Sequence, residues 1–536
     1  MLTTLCLPMR TRSFFLCLVI VFSVSLSFGE ARHKHATNRS ASLSKNIAAI
    51  LDDPTVASAH WGISVVGLDG TPIYALNDSQ YFQPASNAKL FTTATALALL
   101  GPDFTAKTYV VAEGPISNGH LSGSLRLIGG GDPTLSGRAY PYNGHTERPN
   151  PPFYALDDLA AQVAASGIRS FDGTVVADDT LFAYERYGAG WGQDDLMWDY
   201  GAPVSALTVN DNVHYLTLVP AATATDAAIA TWNPSLPEDA AGLKNEAVTS
   251  PAGSEQHLGL DRQPDQNFLR AYGTIPAGSK PANFAIAVQD SAKFAGDGFA
   301  QALATHGIAA NPAVQVSHRL SGDTQVFETE SRLSLALHPF APGQQLPFAL
   351  PANARVVAQH TSPPLSQIVT VVNKVSQNLH AEMLLRILGK AQGDDGSIAQ
   401  GARVVRQFVV SAGVQPQDFF FYDGSGLSPQ DVITPRAATM LLAYAARQPW
   451  GAVYRASLPI GGVDGTLDNR FTQPPLKGKV FAKTGTLNEV HALSGYVTAA
   501  SGRTLIFSIL CNDHSPVMDK TGAAIDKIVA AIAAAN

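Results

Sequence analysis

Cysteine is nearly missing from this chain. It has three, and two of them, Cys6 and Cys17, fall in an N-terminal leader-like stretch. That leaves Cys511 without a partner for an internal disulfide, so the protein must be held by its core. Cys511 ends the apolar run Leu505 to Leu510, the setting of a buried structural thiol rather than a nucleophile. Charge of one sign is equally scarce. The formal net charge is −7, and no block of Lys or Arg is long enough to offer a nucleic-acid surface. Long apolar runs are absent after the leader, so no membrane-spanning segment is expected in the mature chain. There is no heptad pattern and no internal repeat. Nothing has the spacing of a zinc or nucleotide site, and two histidines in a polar linker, His33 and His35, do not make one. No cofactor and no metal are expected.

What is present begins with a targeting signal. Arg10 and Arg12 precede an apolar run from Phe14 to Phe28, followed by Gly29-Glu30-Ala31. That order of basic, apolar and small residues predicts a signal peptide over 1–31, and hence an exported protein of the periplasm or cell envelope. The remaining length is too great for one compact core, and 46% apolar with 15% charged residues is ordinary for a soluble globular chain.

Two strand-like runs, His60 to Leu68 and Thr71 to Leu76, flank Asp69-Gly70, a strong hairpin signal. Pro84 opens a helix that Gly101-Pro102 stops. From about residue 105 to 346 short strands alternate with Gly, Pro and Asn, and 220–282 is a still more Ala-, Pro-, Asp- and Thr-rich sub-segment. The last third returns to helical patterns, over Gln367 to Leu388 and Gln400 to Ser411. Three successive strands follow (Lys479 to Lys483, His491 to Thr498, Thr504 to Cys511), and an Ala-rich closing helix ends the chain. The first hairpin and the last strands can complete one sheet. The expected fold is α/β (α+β): an antiparallel sheet flanked by helices over 43–104 and 347–536. A mostly β inserted region covers 105–219 and 283–346, with a smaller domain nested at 220–282.

Three motifs carry chemistry: Ser86-Asn87-Ala88-Lys89 (S-x-x-K), Ser376-Gln377-Asn378 (S-x-N) and Lys483-Thr484-Gly485 (K-T-G). Each recurs as a decoy, at Ser42 to Lys45, Ser44 to Asn46 and Lys520 to Gly522. Context separates them. At the start of a helix, residues three apart share a face, so Lys89 reaches the Ser86 hydroxyl. A serine hydroxyl needs an adjacent base near neutral pH, and a Lys serves once burial or a second cation, here Lys483, lowers its pKa. Lys483 ends an apolar strand run, and Gly485 without a side chain lets an extended peptide lie against that strand edge. The Lys520 decoy opens a helix and offers no such edge.

The set S-x-x-K, S-x-N, K-T-G resembles that of the penicillin-binding proteins and serine β-lactamases. The stretches Pro84 to Lys89, Gly131 to Leu135, Asn373 to Leu379, Asp423 to Ser428, Asp464 to Leu467 and Lys483 to Thr486 are similar to the three-domain D-alanyl-D-alanine carboxypeptidase/endopeptidases, the class C low-molecular-mass kind. The wide gap between Ser86 and Ser376 and the Gln at 377 fit that subgroup better than simple β-lactamases. The resemblance implies a β-lactamase/transpeptidase-like catalytic domain. It also implies cleavage of D-Ala-terminated peptidoglycan stem peptides, with endopeptidase action on crosslinks, and acylation by β-lactams. The rivals are a serine β-lactamase and a non-catalytic β-lactam- or wall-binding scaffold.

By the same resemblance Ser86 is the nucleophile and Lys89 its base. Ser376 and Lys483 relay the proton to the leaving amine, and Asn378 holds the acyl-side amide. Thr484 and Thr486 bind the terminal carboxylate beside Gly485, and the N–H groups of Ser86 and Thr486 form the oxyanion hole. An acid from the insertion is expected near the substrate's diamino-acid side chain, with Asp178 the best match. Asp423 and Asp132 read as loop-forming rather than catalytic, and His380 and His491 lack a recognisable acidic partner in the sequence.

Overall fold

The computed structural model describes residues 42–536 apart from 145–147, 238, 240–241, 265, 310–312, 323, 348 and 518. The expected signal peptide lies outside the described residues. Among the described residues no helix is long and apolar enough to cross a membrane.

The architecture is mixed α/β and grows from a five-stranded antiparallel sheet. Its order is Val480–Leu487, Val490–Thr498, Thr504–Asn512, His60–Gly67, Pro72–Leu76, so strands from both ends of the chain meet at the pair Ile63 and Ile509. The hairpin at Asp69-Gly70 closes as its composition requires. Gly70 takes φ +88°, and the Asp69 carboxylate accepts bonds from the Thr71 N–H at 3.0 Å and hydroxyl at 2.9 Å.

The two-residue period of these strands sends alternate side chains to two cores. Ile63, Val65, Phe507, Ile509 and Cys511 face the closing helix Thr521–Ala535 and the first helix, 42–51. Ala492, Tyr496, Ile506 and Leu510 face the helical layer on the other side. The centre of that layer is the helix Ala88–Leu100, buried nearly all round, as a helix apolar on every face must be. Each Leu or Phe it removes from water stabilises the fold by about 1.5–3 kcal/mol. The 367–388 helical pattern is two helices, Leu365–Lys374 and Asn378–Gln392, broken where Ser376 takes φ +63°.

The insertion builds a second five-stranded sheet, in the order Val314–Arg319, Val175–Ala183, Ser124–Ile128, Lys107–Glu113, Arg355–Thr361. The helices Tyr154–Ala165 and Ser291–Thr305 cover it. The Arg355–Thr361 strand, expected in the catalytic part, pairs antiparallel with Lys107–Glu113 and so belongs to the inserted sheet. Conversely Phe327, Leu335, Leu337 and Phe340, expected in the insertion, pack on the helical core of the first sheet. Sequence pattern alone does not say to which sheet either segment docks.

Residues 213–287 form two three-stranded sheets around a small core of Leu216, Leu218, Ala247, Leu269, Ala271 and Ile275. Their strands run from Val213–Val219 to Ala282–Ala287, wider than the compositional bias over 220–282 indicated.

Candidate active site

The turn Ala85–Asn87 presents Ser86 immediately before the buried helix Ala88–Leu100. Ala85 is held at φ +45°, a conformation costly for a residue with a side chain, and tight packing enforces it. A Cβ on Gly426 would fall 1.8 Å from the Ala85 carbonyl oxygen, and one on Gly485 would fall 2.7 Å from that of Pro84. The Asp423 to Ser428 loop and the Lys483 to Gly485 strand thus grip the nucleophile turn from two sides. Asn87 adds a bond from its side-chain amide to the Lys483 carbonyl at 3.1 Å.

Lys89 is fully buried. Its Nζ has three partners: Ser86 Oγ at 2.9 Å, Asn378 Oδ1 at 2.7 Å and the Ser425 carbonyl at 2.7 Å. Two of the three can only accept. A neutral amine would give its two N–H groups to Asn378 and Ser425 and turn its lone pair to the Ser86 hydroxyl, the one partner able to donate. Burial lowers the Lys89 pKa to about 7, against the opposing pull of Asp423, Glu382 and Asp431. That pull is weaker than three carboxyl groups suggest. Burial first, and the neighbouring Asp423 next, raise Glu382 to about 8 and hold Asp431 well above the usual carboxylate range, which disfavours the charged form of both. Asp423 itself accepts from the N–H groups of Ser425 (3.1 Å), Gly426 (2.6 Å) and Ser428 (2.7 Å) and from Trp191 Nε1 (2.9 Å).

Lys483 is the second buried amine. It donates to Ser376 Oγ and to the Thr484 carbonyl, both at 2.9 Å. Burial, and then the nearby Lys89, hold its pKa well below the usual lysine value. Asn378 completes the centre, donating its amide to the Tyr200 carbonyl at 2.9 Å. The structure therefore gathers these residues as two hydrogen-bonded groups, Ser86 with Lys89 and Asn378, and Ser376 with Lys483. Ser86, Ser376, Asn378 and Thr486 line a single cleft of about 820 Å³. Thr484 bonds instead to the Thr466 hydroxyl at 2.7 Å, which joins the Asp464 to Leu467 loop to the strand. Of the decoys, Ser42, Ser44 and Lys45 lie in the first helix and Lys520 precedes the closing one.

Asp178 is not brought to this cleft. It lies in the inserted sheet, paired with Arg126 at 3.0 Å and accepting from the Thr180 N–H and hydroxyl. The acids that the insertion does send to the cleft are Asp194 and Asp195, beside Tyr200. Asp195 accepts from the Gly192 N–H at 3.2 Å, and Asp194 is exposed. These residues sit in an aperiodic, Gly-, Trp- and Asp-rich stretch, and that composition was the available signal. The two histidines also have acidic partners invisible in the sequence: His380 bonds Asp211 at 3.1 Å and His491 bonds Asp519 at 2.7 Å.

With His514, the latter pair forms a trio whose ligand-type atoms lie within 4.8 Å of one another. The two rings, however, stack 4.7 Å apart at 16°, so their in-plane lone pairs run alongside each other instead of meeting at one point. That geometry suits a ring stack better than a chelate.

A family model described as the D-Ala-D-Ala carboxypeptidase 3 (S13) family matches residues 43–340 and 346–534. The chain is 36% identical over 487 residues to a D-alanyl-D-alanine carboxypeptidase of Actinomadura sp. (strain R39), covering 89% of this chain and 82% of that protein. It is 25% identical over 444 residues to the D-alanyl-D-alanine carboxypeptidase DacB of Haemophilus influenzae, covering 82% of each. A crystal structure of penicillin binding protein 4 (dacB) from Haemophilus influenzae superposes with a TM-score of 0.72 at 23% identity, over 90% of this chain and 97% of that one, which makes the fold common to both.

Proposed function

The chain belongs to the D-Ala-D-Ala carboxypeptidase 3 (S13) family and is a serine-type D-Ala-D-Ala carboxypeptidase, and from that premise we propose that it works through an acyl-enzyme on Ser86. The observation that carries this reading is the Lys89 amine, buried, with its pKa lowered and with one hydroxyl partner, Ser86, at 2.9 Å. Ser86 Oγ attacks the carbonyl carbon of the penultimate D-Ala as its proton passes to Lys89. The oxyanion forms against the N–H groups of Ser86 and Thr486. As the C–N bond breaks, Ser376, hydrogen-bonded to Lys483, relays a proton to the departing D-Ala amine. Water then adds to the ester and releases the shortened peptide. Asn378 holds the acyl-side amide, and the Thr484 to Thr486 strand edge receives the terminal carboxylate. The strained amide of a β-lactam enters the same sequence and stops at the ester.

Asp194 takes the role first given to Asp178. An exposed carboxylate on the cleft wall suits the cationic amine of a diamino-acid side chain. The same cleft is open enough to admit a crosslinked peptide, which supports endopeptidase action as a second activity.

We also divide the chain into a catalytic part from both ends, the sheet region inserted between residues 105 and 361, and the nested unit at 213–287. The basic-apolar-small order of residues 1–31 supports export to the periplasm or cell envelope.

The test is release of D-Ala from a D-Ala-D-Ala pentapeptide by wild type and Ser86→Ala. Loss of release in the variant supports the reading, and undiminished release overturns it.

A further inference from the structure

Between the inserted sheet and the nested unit the chain passes through Asn210-Asp211-Asn212, three consecutive residues with φ of 53°, 54° and 55°. Asn and Asp take left-handed backbone more readily than other residues that carry a side chain, and here all three use it. Here the backbone is bent so as to aim one carboxylate at the catalytic part. The Asp211 side chain is wholly shielded from solvent and gathers partners from two places. Arg138 (Nε and Nη2, 2.7 Å each) and Arg148 (2.7 Å) come from the loop after the Gly131 to Leu135 motif. His380 Nε2 (3.1 Å) and, more weakly, Gln377 Nε2 (3.4 Å) come from the start of the helix that carries Asn378. Burial alone would push this carboxyl up, yet Arg138 and Arg148, with His380, hold it well below the usual range. It is a buried anion whose guanidinium partners lie on the insertion side and whose remaining donors lie within the S-x-N motif (Gln377) and just after it (His380).

That motif straddles the boundary between a helix break and the first residue of the helix Asn378–Gln392. Ser376 stands at φ +63° in the break between two helices. Its hydroxyl must meet Lys483 at 2.9 Å while Asn378, two residues on, meets Lys89 at 2.7 Å. Gln377 lies between them and His380 one turn further, and both bond to Asp211.

We infer that Asp211 is a positioning residue: anchored by Arg138 and Arg148, it pins Gln377 and His380 and so sets the Ser376 hydroxyl and the Asn378 amide in register with the two catalytic lysines. The insertion is thereby part of the catalytic apparatus, though Asp211 touches no reacting atom. This rests on the reading of Ser376 and Asn378 as working residues, so the experiment separates the two.

The measurement is the rate of acylation by benzylpenicillin, together with kcat and KM on a D-Ala-D-Ala peptide and thermal unfolding. The variants are Asp211→Asn, His380→Gln, His380→Met and, as control, Ser376→Ala. A misplacement of about 1 Å costs on the order of 100-fold in rate. Asp211→Asn should therefore slow acylation by about that factor, lowering kcat with KM nearly unchanged. His380→Gln keeps a donor near Nε2 and should stay within about threefold of wild type, while His380→Met, of similar bulk without a donor, should fall at least about tenfold. If Asp211→Asn fails to fold because it strands two buried guanidinium groups, the His380 pair decides. A folded His380→Met acylated as fast as His380→Gln, with Ser376→Ala slow, overturns the inference alone. A Ser376→Ala as fast as wild type overturns the reading beneath it.

Discussion

The Nζ atom of Lys89 lies 2.7 Å from the amide oxygen of Asn378, a residue 289 positions later in the chain. This contact ties the nucleophile helix to the helix that follows the S-x-N motif. It also keeps Lys89 usable as a base, because a neutral acceptor solvates the amine without holding a proton on it.

Replacing that acceptor by an anion should therefore be harmful. In wild type, where Lys89 titrates at about 7, kcat/KM for peptide should rise with pH through 7 as the amine loses its proton. In Asn378→Asp a carboxylate within 3 Å favours the charged amine and should raise its pKa by about 1–3 units. The rising limb then moves to higher pH, and the variant should lose at least about tenfold at pH 7 while recovering part of it in alkaline buffer. A pH–rate profile of both proteins checks this. A variant profile superimposable on wild type would remove Lys89 as the base.

The two K-T-G sequences should respond oppositely to one added methyl group. A Cβ at Gly485 would stand 2.7 Å from the Pro84 carbonyl oxygen, whereas one at Gly522, in the closing helix, would meet nothing within 4 Å. Gly485→Ala should displace the nucleophile turn and slow acylation at least about tenfold. Gly522→Ala should leave activity intact and raise stability by up to about 1 kcal/mol, through helix propensity. Acylation rates and thermal midpoints of the two variants supply the comparison.

The proximity of the proposed site residues was legible where their motifs are short and local. Ser86 and Lys89 share a helix start, and Lys483 and Gly485 share a strand, so spacing alone brings each pair together. The distinction from the decoys was legible too, since Lys520 opens a helical pattern. What could not be read were relationships made by packing. Asp178 and Asp194 both stand in inserted, acid-bearing stretches, and only the inserted sheet, pairing Asp178 with Arg126, separates their fates. The Asp211 partner of His380 is 169 positions distant, and although Asn-Asp-Asn favours left-handed backbone, nothing in that local preference names the residue it will meet. Arg355–Thr361 crosses back to the inserted sheet because Lys107–Glu113 has a free edge for it, a fact of topology rather than of period.

Those two acids give a further contrast. Asp194→Asn should raise KM several-fold for a stem peptide with a free side-chain amine and leave the N-acetylated peptide unaffected. Asp178→Asn should leave both KM values unchanged and cost a modest amount of stability through the half-buried Arg126 pair, about 1 kcal/mol. Steady-state kinetics on the paired substrates decides which carboxylate faces the substrate.

A covalent ester at Ser86 is visible as intact mass after incubation with benzylpenicillin, followed by peptide mapping and a time course. Wild type should carry one penicilloyl adduct per chain, mapped to the peptide containing Ser86, persisting over many minutes and absent from Ser86→Ala. An adduct mapped elsewhere, rapid loss of penicillin without a lasting adduct, or no reaction at all would contradict the Ser86 ester.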